Sequence, residues 1–267
     1  MNTTATVAGQ HIAAAQLRPA SPDIELRAVG ASRYLLLPGP DLINSHLRKG
    51  VPWEPATQVV AQLMLLGITE PVVVDVGANL GAFAVPMGLW LKPRQGRLIA
   101  FEPQRLVYYQ LCANLFINML PHCVAHALAV GASAGGVDVP QPDLDTDHQN
   151  RPSEHVAMVS LDGMDLPPGH VLKMDVEGLE LEVLTGATAW LARSGWPPIL
   201  FEVRSDHMPG CVTQRQQLMD CLQQRLGYEV FLLGGLGIAQ HPDNLRYDLA
   251  MDANNCLQFT PLKGQKP

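Results

Sequence analysis

One segment constrains the fold more than any other: Val72-Val73-Val74-Asp75-Val76-Gly77-Ala78-Asn79-Leu80-Gly81. An unbroken β-branched run marks a strand buried on both faces, as in the middle of a parallel sheet. Glycine follows at once, so the chain leaves the strand through a tight turn. There the backbone can approach a ligand with no Cβ in the way. Ligands of an open α/β sheet bind at the carboxyl ends of its strands, which makes this loop the first place to look for function.

Downstream the chain alternates strand and helix patterns. Residues 97–101 read as a strand. Residues 104–119 read as a helix carrying Leu106, Tyr109, Ala113 and Ile117 on one face, and 124–130 as a third strand. A Gly-, Pro- and Asp-rich loop at 135–149, with room for a short hairpin, and an extra strand at 156–161 precede a core strand at 171–174. A helix over 179–193 has Leu181, Leu184, Thr188 and Leu191 along one side. Strand 199–203, helix 214–226, strand 228–233 and a last strand near 255–259 complete the pattern. Pro86 lies within the helical segment 82–91 and predicts a kink or a shortened helix there.

Upstream, residues 53–66 form a helix with Pro55 in its first turn and Gly67 as its stop. The alternation over 24–37 predicts a hairpin or strand, and the first 20 or so residues are small and aperiodic. Alternation of this kind gives an α/β chain with a doubly wound, mostly parallel sheet. Its organisation is one domain over 51–267 behind an N-terminal extension, 1–50, that is partly disordered or a small hairpin.

Composition removes several classes of function. The chain has 267 residues, 47% of them hydrophobic, and 18 basic against 25 acidic residues give a net charge of −7. A nucleic-acid face needs clustered Lys and Arg, so no nucleic-acid partner is expected. Cys112, Cys123, Cys211, Cys221 and Cys256 contain no CxxC pair and read as reduced thiols, with no metal site. The N-terminus lacks a signal-peptide pattern, and no apolar run approaches the ~20 residues that span a bilayer. The expected compartment is the cytoplasm. Self-association stays open.

The loop itself departs from GxGxxG: after Gly77 the second glycine is replaced by Asn79, and the spacing to Gly81 is GxxxG. Asp75 stands two residues before the first glycine, where a nicotinamide or flavin site usually runs apolar. An acidic strand end suits a ligand with an ammonium, such as the methionine part of S-adenosylmethionine. Glu102, in Ala100-Phe101-Glu102-Pro103 at the end of the next strand, can accept hydrogen bonds from vicinal ribose hydroxyls. Asp75, Gly77, Ala78, Asn79, Gly81, Glu102 and Pro103 are therefore the candidate cofactor residues. Two other readings compete, a non-catalytic module binding an S-adenosyl ligand and a nicotinamide-dependent oxidoreductase. The second is opposed by Asp75 and the broken glycine pattern.

These motifs, taken in order, resemble the FkbM family of methyltransferases. The resemblance rests on DVGANLG (75–81), AFEP (100–103), Asn114 and Asn118 in NLFIN, SLD (160–162) and KMDVEGLELEVLTGA (173–187). FEVR (201–204), GYEV (227–230) and NNCLQF (254–259) add to it, over about residues 50–260. It implies a Rossmann-like class I methyltransferase sheet with one antiparallel strand. It also implies O-methylation of a natural product or glycan. Ala84 and Pro86 depart from the family, which more often has Thr and helix-favouring residues there.

A hydroxyl is a poor nucleophile until a base takes its proton. Asp175 and Glu177 follow strand 171–174, and Glu202 ends strand 199–203, so all three belong at the carboxyl-end crevice. Lys173 shares a strand face with Asp175 and can hold it ionised or bind substrate. These four are the candidate catalytic residues, acting on a small-molecule or sugar acceptor with a free hydroxyl. A purely structural alternative stays open, with Asp175 and Glu177 capping helix 179–193 and Lys173 in an ion pair. His155 and His207 are the loop histidines expected nearest the same crevice, with the reading of each as a surface bystander beside it.

Overall fold

Seven strands form the central sheet of the computed structural model, which describes residues 24–39, 41–140, 153–203, 211–252 and 256–262. In chain order, a hairpin of β1 (Glu25–Val29) and β2 (Ser32–Leu36) leads into α1 (Leu42–Arg48) and α2 (Pro55–Met64). The alternating part follows: β3 (Val72–Val76), α3 (Ala84–Leu91), β4 (Arg97–Phe101), α4 (Arg105–Ile117) and β5 (Cys123–His126). Then come the short β6 (Ala129–Val130), β7 (Gly135–Pro140), β8 (Ser153–Val159), β9 (Val171–Met174), α5 (Glu180–Thr185), α6 (Thr188–Arg193) and β10 (Ile199–Glu202). The chain closes with α7 (Cys211–Asp220), β11 (Glu229–Leu233), β12 (Leu236–Gln240), β13 (Tyr247–Met251) and β14 (Leu257–Pro261).

The sheet order is β11-β12-β10-β9-β3-β4-β5, and β12 alone runs antiparallel to its neighbours. This is the mostly parallel sheet with one antiparallel strand that the resemblance implies. One large apolar cluster covers each face of it. β3 lies inside the sheet between β9 and β4, buried at every residue, and the order reverses around it. The glycine loop therefore opens at the topological switch point.

Several expectations need correction. The helix expected over 179–193 is two helices, α5 and α6. The break falls at Gly186, where a Cβ would lie 2.2 Å from the Gly131 carbonyl. The Asp162 carboxylate then caps α6 from outside, accepting from the Ala189 and Trp190 amides at 3.1 and 2.6 Å. That contact accounts for the aspartate of SLD. In α4 the core face is Val107, Gln110, Leu111, Asn114 and Leu115, while Leu106 and Tyr109 are exposed. The strand expected over 124–130 splits into β5 and β6, and β6 joins β7 and β8 in a separate three-stranded sheet. β7 occupies the start of the expected loop, whose residues 141–149 lie outside the described residues. The last strand pairs with β13 rather than with the main sheet.

α3 begins at Ala84, two residues later than the expected start, and contains Pro86. The proline sits in the first turn, where no hydrogen bond is lost. The Ala82 carbonyl, four residues back, accepts from the Gln58 side chain at 3.1 Å instead. The hairpin and α1 are joined to the domain, since Val29, Tyr34, Leu36 and Leu47 are part of one of the two core clusters. Side-chain amides of α4 take the place of a neighbouring strand along β2. Asn114 Oδ1 accepts from the Leu35 amide at 2.6 Å and Asn118 Oδ1 from the Arg33 amide at 2.9 Å. Gln110 donates to the Leu35 carbonyl at 2.9 Å.

Candidate active site

The loop after β3 is held by its own backbone and by the strand beside it. The Gly77 and Ala78 amides both donate to the Phe101 carbonyl, at 3.0 and 2.9 Å. Gly77, Asn79 and Gly81 have φ of 78°, 49° and 93°. Asparagine tolerates the left-handed region better than most residues, which explains why it can replace the second glycine. The glycines are required by the protein interior. A Cβ on Gly77 would lie 1.9 Å from the Asp175 carbonyl, and one on Gly81 would lie 2.9 Å from Leu111 Cδ1. Asn114, which holds the hairpin, also donates to the Leu80 carbonyl at 2.8 Å. One carboxamide thus ties β2 to the loop.

Glu102 is 5% exposed, and each of its oxygens has one backbone donor. Oε2 accepts from the Asn79 amide at 2.9 Å and Oε1 from the Gln104 amide at 2.8 Å. Carboxylate oxygens take about two bonds each, so each can still accept from a ligand hydroxyl. Burial pushes the carboxyl up to about 7, against the pull of the two amides and of Lys173. Pro103 follows in the turn that leads to α4.

Across the switch point, Lys173 on β9 is in parallel register with Asp75 on β3. The residue is 5% exposed. Its ammonium donates to the Gly77 carbonyl at 3.0 Å and lies 3.2 Å from Asp75 Oδ1 and 3.6 Å from Asp175 Oδ2. Burial opposes its charge, but the Asp75 and Asp175 carboxylates outweigh that and hold its value above the ordinary lysine range. Asp75 is fully buried, and burial raises its carboxyl despite the neighbouring ammonium. Neither Asp75 oxygen accepts a well-formed hydrogen bond; the contact with Lys173 is an ion pair. A ligand ammonium therefore meets the Lys173–Asp75 pair rather than a bare carboxylate.

Two cavities meet here. One, above the glycine loop, is lined by Gly77, Ala78, Asn79, Phe83, Lys173 and Asp175, with Ile43, Trp53 and Glu54 closing it from the N-terminal side. The other, of about 270 Å³, is lined by Glu54, Thr57, Lys173, Asp175, Leu200, Glu202 and Leu236 among others. The structure thus brings Lys173, Asp175 and Glu202 to one cavity. Glu177 is exposed on left-handed backbone (φ 55°) and lines neither of them. Neither Asp175 nor Glu177 is the N-cap of α5, a position held by Leu179, whose side chain makes no cap hydrogen bond. His155 sits on β8, paired with Asp138 at 2.9 Å and exposed. His207 lies outside the described residues. Glu54 carries no motif and was not among the residues expected from sequence. Only its place one residue before Pro55, at a helix start, marks it.

A glycine loop at the switch point, an acidic residue closing the second strand and a cavity rimmed by carboxylates define a nucleoside-binding enzyme of the doubly wound α/β class. The methyltransferase FkbM domain model matches residues 75–230, more than half of the chain. The chain belongs to the FkbM methyltransferase family, and S-adenosylmethionine is its cofactor.

No curated protein matches the sequence. Among solved structures it is similar to the methyltransferase FkbM from Methylobacillus flagellatus, at 20% identity and a TM-score of 0.49. That match covers 66% of this chain and 45% of that one. This chain thus spans less than half the length of that relative. It is also similar to an S-adenosylmethionine-dependent O-methyltransferase from Thermotoga maritima (15% identity, TM-score 0.47, 86% and 68% covered). A methyltransferase from Geobacter sulfurreducens gives 13% identity and a TM-score of 0.45, with 77% and 92% covered. The residues present suit the cofactor. Glu102 has acceptor capacity left for two ligand hydroxyls, and beside the glycine loop the carboxylates of Asp75 and Asp175 share the single ammonium of Lys173.

Proposed function

We propose that this methyltransferase acts on a hydroxyl oxygen of a small molecule or sugar. The observation that carries the reading is the cavity of about 270 Å³ beside the glycine loop, rimmed by Asp175 and Glu202. In this reading the loop residues 77–81 carry the methionine end of the cofactor, with Asp75 setting the local charge through Lys173. Glu102 takes the ribose hydroxyls, and Pro103 shapes the turn beside it. Bound S-adenosylmethionine supplies an electrophilic methyl group on a positive sulfur. Much of the rate in such a transfer comes from holding acceptor and methyl in line, a task for the walls Leu200, Leu236 and Thr57. Asp175 would take the proton of the acceptor hydroxyl, the methyl passing to the oxygen as its bond to sulfur breaks and the neutral thioether departs. Lys173 keeps Asp175 oriented, and Glu202 bonds a second polar group of the acceptor. Glu177, outside both cavities, has at most a supporting part. We assign the chain to the cytoplasm on the same footing; among the described residues no helix is long and apolar enough to cross a membrane.

The test is a mass-spectrometric screen of hydroxylated metabolites and sugars for a gain of one methyl group. Methylated oxygen supports the reading. Products methylated only on nitrogen or carbon would refute it.

A further inference from the structure

Glu54 immediately precedes α2 on left-handed backbone, with φ 41° and ψ 57°. A non-glycine residue seldom adopts that conformation, and here it gives the helix no side-chain cap. The residue is solvent-exposed, and among the described residues the one hydrogen bond of its carboxylate is a long one, accepted by Oε2 from the Thr57 hydroxyl at 3.5 Å. It lines the pocket above the glycine loop, together with Gly77, Asn79 and Lys173, and also the adjoining cavity. Glu54 therefore stands where the two spaces join.

The charges around it are unbalanced. Asp75, Asp175 and Glu54 act on one another and on a single ammonium, that of Lys173. Burial first, then Asp175 and more weakly Asp75, push the Glu54 carboxyl above its ordinary value, against Lys173. The pocket is short of a positive charge. Lys173 already occupies the Gly77 carbonyl and the buried Asp75 carboxylate, and Asp175 leans toward the same ammonium. A cationic group entering above the loop finds its available anion on the opposite wall.

We propose that Glu54 is a cofactor-binding residue whose carboxylate receives the ammonium of the methionine part of S-adenosylmethionine. The inference rests on the placement of the methionine end over residues 77–81 under Proposed function. An ammonium at this position relieves the repulsion among the carboxylates and donates a charge-assisted hydrogen bond to Glu54.

Calorimetry on the full chain tests this without an acceptor. Three ligands are compared: S-adenosylhomocysteine, its decarboxylated analogue, which keeps the ammonium, and 5′-methylthioadenosine, which has neither charged group. Glu54→Gln should weaken the first two by roughly 10–100-fold, the worth of a hydrogen bond to a charged group. It should leave 5′-methylthioadenosine unchanged. Glu54→Asp, which keeps the charge, should fall between. Unchanged S-adenosylhomocysteine affinity in Glu54→Gln overturns the proposal, and so does an equal loss for all three ligands, which would indicate a general distortion of the pocket. If the ammonium is instead held by Asp175, Asp175→Asn will show the selective loss and Glu54→Gln will not, which also overturns it. A wild-type chain that binds none of the three refutes the cofactor reading of the site as a whole.

Discussion

The Lys173 ammonium lies 3.2 Å from Asp75 Oδ1, between adjacent parallel strands, with the lysine side chain 7% exposed and the aspartate 0%. Two charges in such a place are costly to bury, and their attraction offsets that cost only while both are present. Removing one leaves the other uncompensated. Lys173→Met is therefore expected to destabilise the fold by about 3–5 kcal/mol, read as a shift in the urea midpoint. The double variant Lys173→Met/Asp75→Asn removes both charges and should recover part of that loss. A single variant within about 1 kcal/mol of wild type would mean the pair is not the buried unit the geometry describes.

Glu102 gives the site a pH dependence near neutrality. Its carboxyl is raised to about 7 by burial, and an acid raised in the folded state weakens that state as pH rises from the unfolded value toward the folded one. Its contribution to stability is thus fully present below about 4.5 and lost by the time pH passes about 7. Cofactor binding runs the other way, because ribose hydroxyls donate to the ionised carboxylate. S-adenosylhomocysteine affinity should rise between pH 6 and pH 8, up to about tenfold per unit below the carboxyl's value. In Glu102→Gln the profile should be flat across that window and the affinity lower. A wild-type profile as flat as the variant's would show that Glu102 does not meet the ligand in its ionised form.

Asn114 is fully buried and joins three elements. Its carboxamide accepts from Leu35 in the hairpin and donates to Leu80 in the glycine loop, from a position on α4. Asn114→Ala leaves a buried amide and a buried carbonyl without partners, at about 1–3 kcal/mol each. Hydrogen exchange should report it locally: the Leu35 amide, protected in the wild type, should exchange faster by a factor that amides of β3 and β4 do not share. Uniform loss of protection across the sheet would instead indicate global destabilisation with no special link between hairpin and loop.

Sequence and structure agree best where one local signal decides. β4 and β9 are apolar runs closed off by Gly, Pro or charge, and β3 is an unbroken valine run up to Asp75; all three fall at the expected residues. The switch-point loop follows from β3. Elements set by distant contacts are misread. The buried face of α4 includes Gln110 and Asn114, so an apolar stripe points to the wrong side, because what it packs against is a hairpin needing hydrogen-bond partners. The break between α5 and α6 depends on Asp162, more than 20 residues upstream, and on the Gly131 carbonyl. β12 was missed although Gly234-Gly235 between Leu233 and Leu236 is a two-residue hairpin signal. Gly237 lowers its strand propensity, and the reason lies on another strand, where the Phe201 ring would lie 2.3 Å from a Cβ. Glu54 is illegible for a related reason: its place in the site comes from a left-handed turn that sets it beside Gly77 and Lys173, both distant in sequence.

The last prediction concerns the acceptor side. Asp175 follows β9 with its side chain 28% exposed, lines both cavities and lies 3.6 Å from Lys173. Asp175→Asn keeps the shape and the contact surface but cannot take a proton. Once an acceptor is in hand, turnover should fall by about 10²–10⁴, the usual worth of a general base. Affinity for S-adenosylhomocysteine should stay within a few-fold, because the ribose and the methionine ammonium are held elsewhere. Glu177→Gln, altering an exposed side chain outside both cavities, should leave turnover within about threefold, as a substitution remote from the reacting atoms does. Glu202→Gln should raise KM more than it lowers kcat, since it changes acceptor binding and not proton transfer. The pattern across the three variants is what discriminates. If Asp175→Asn turns over normally and binds cofactor orders of magnitude more weakly, Asp175 belongs to the cofactor pocket. If Glu177→Gln alone is inactive, the loop after β9 must rearrange to bring that side chain inward, and the base has been assigned to the wrong carboxylate.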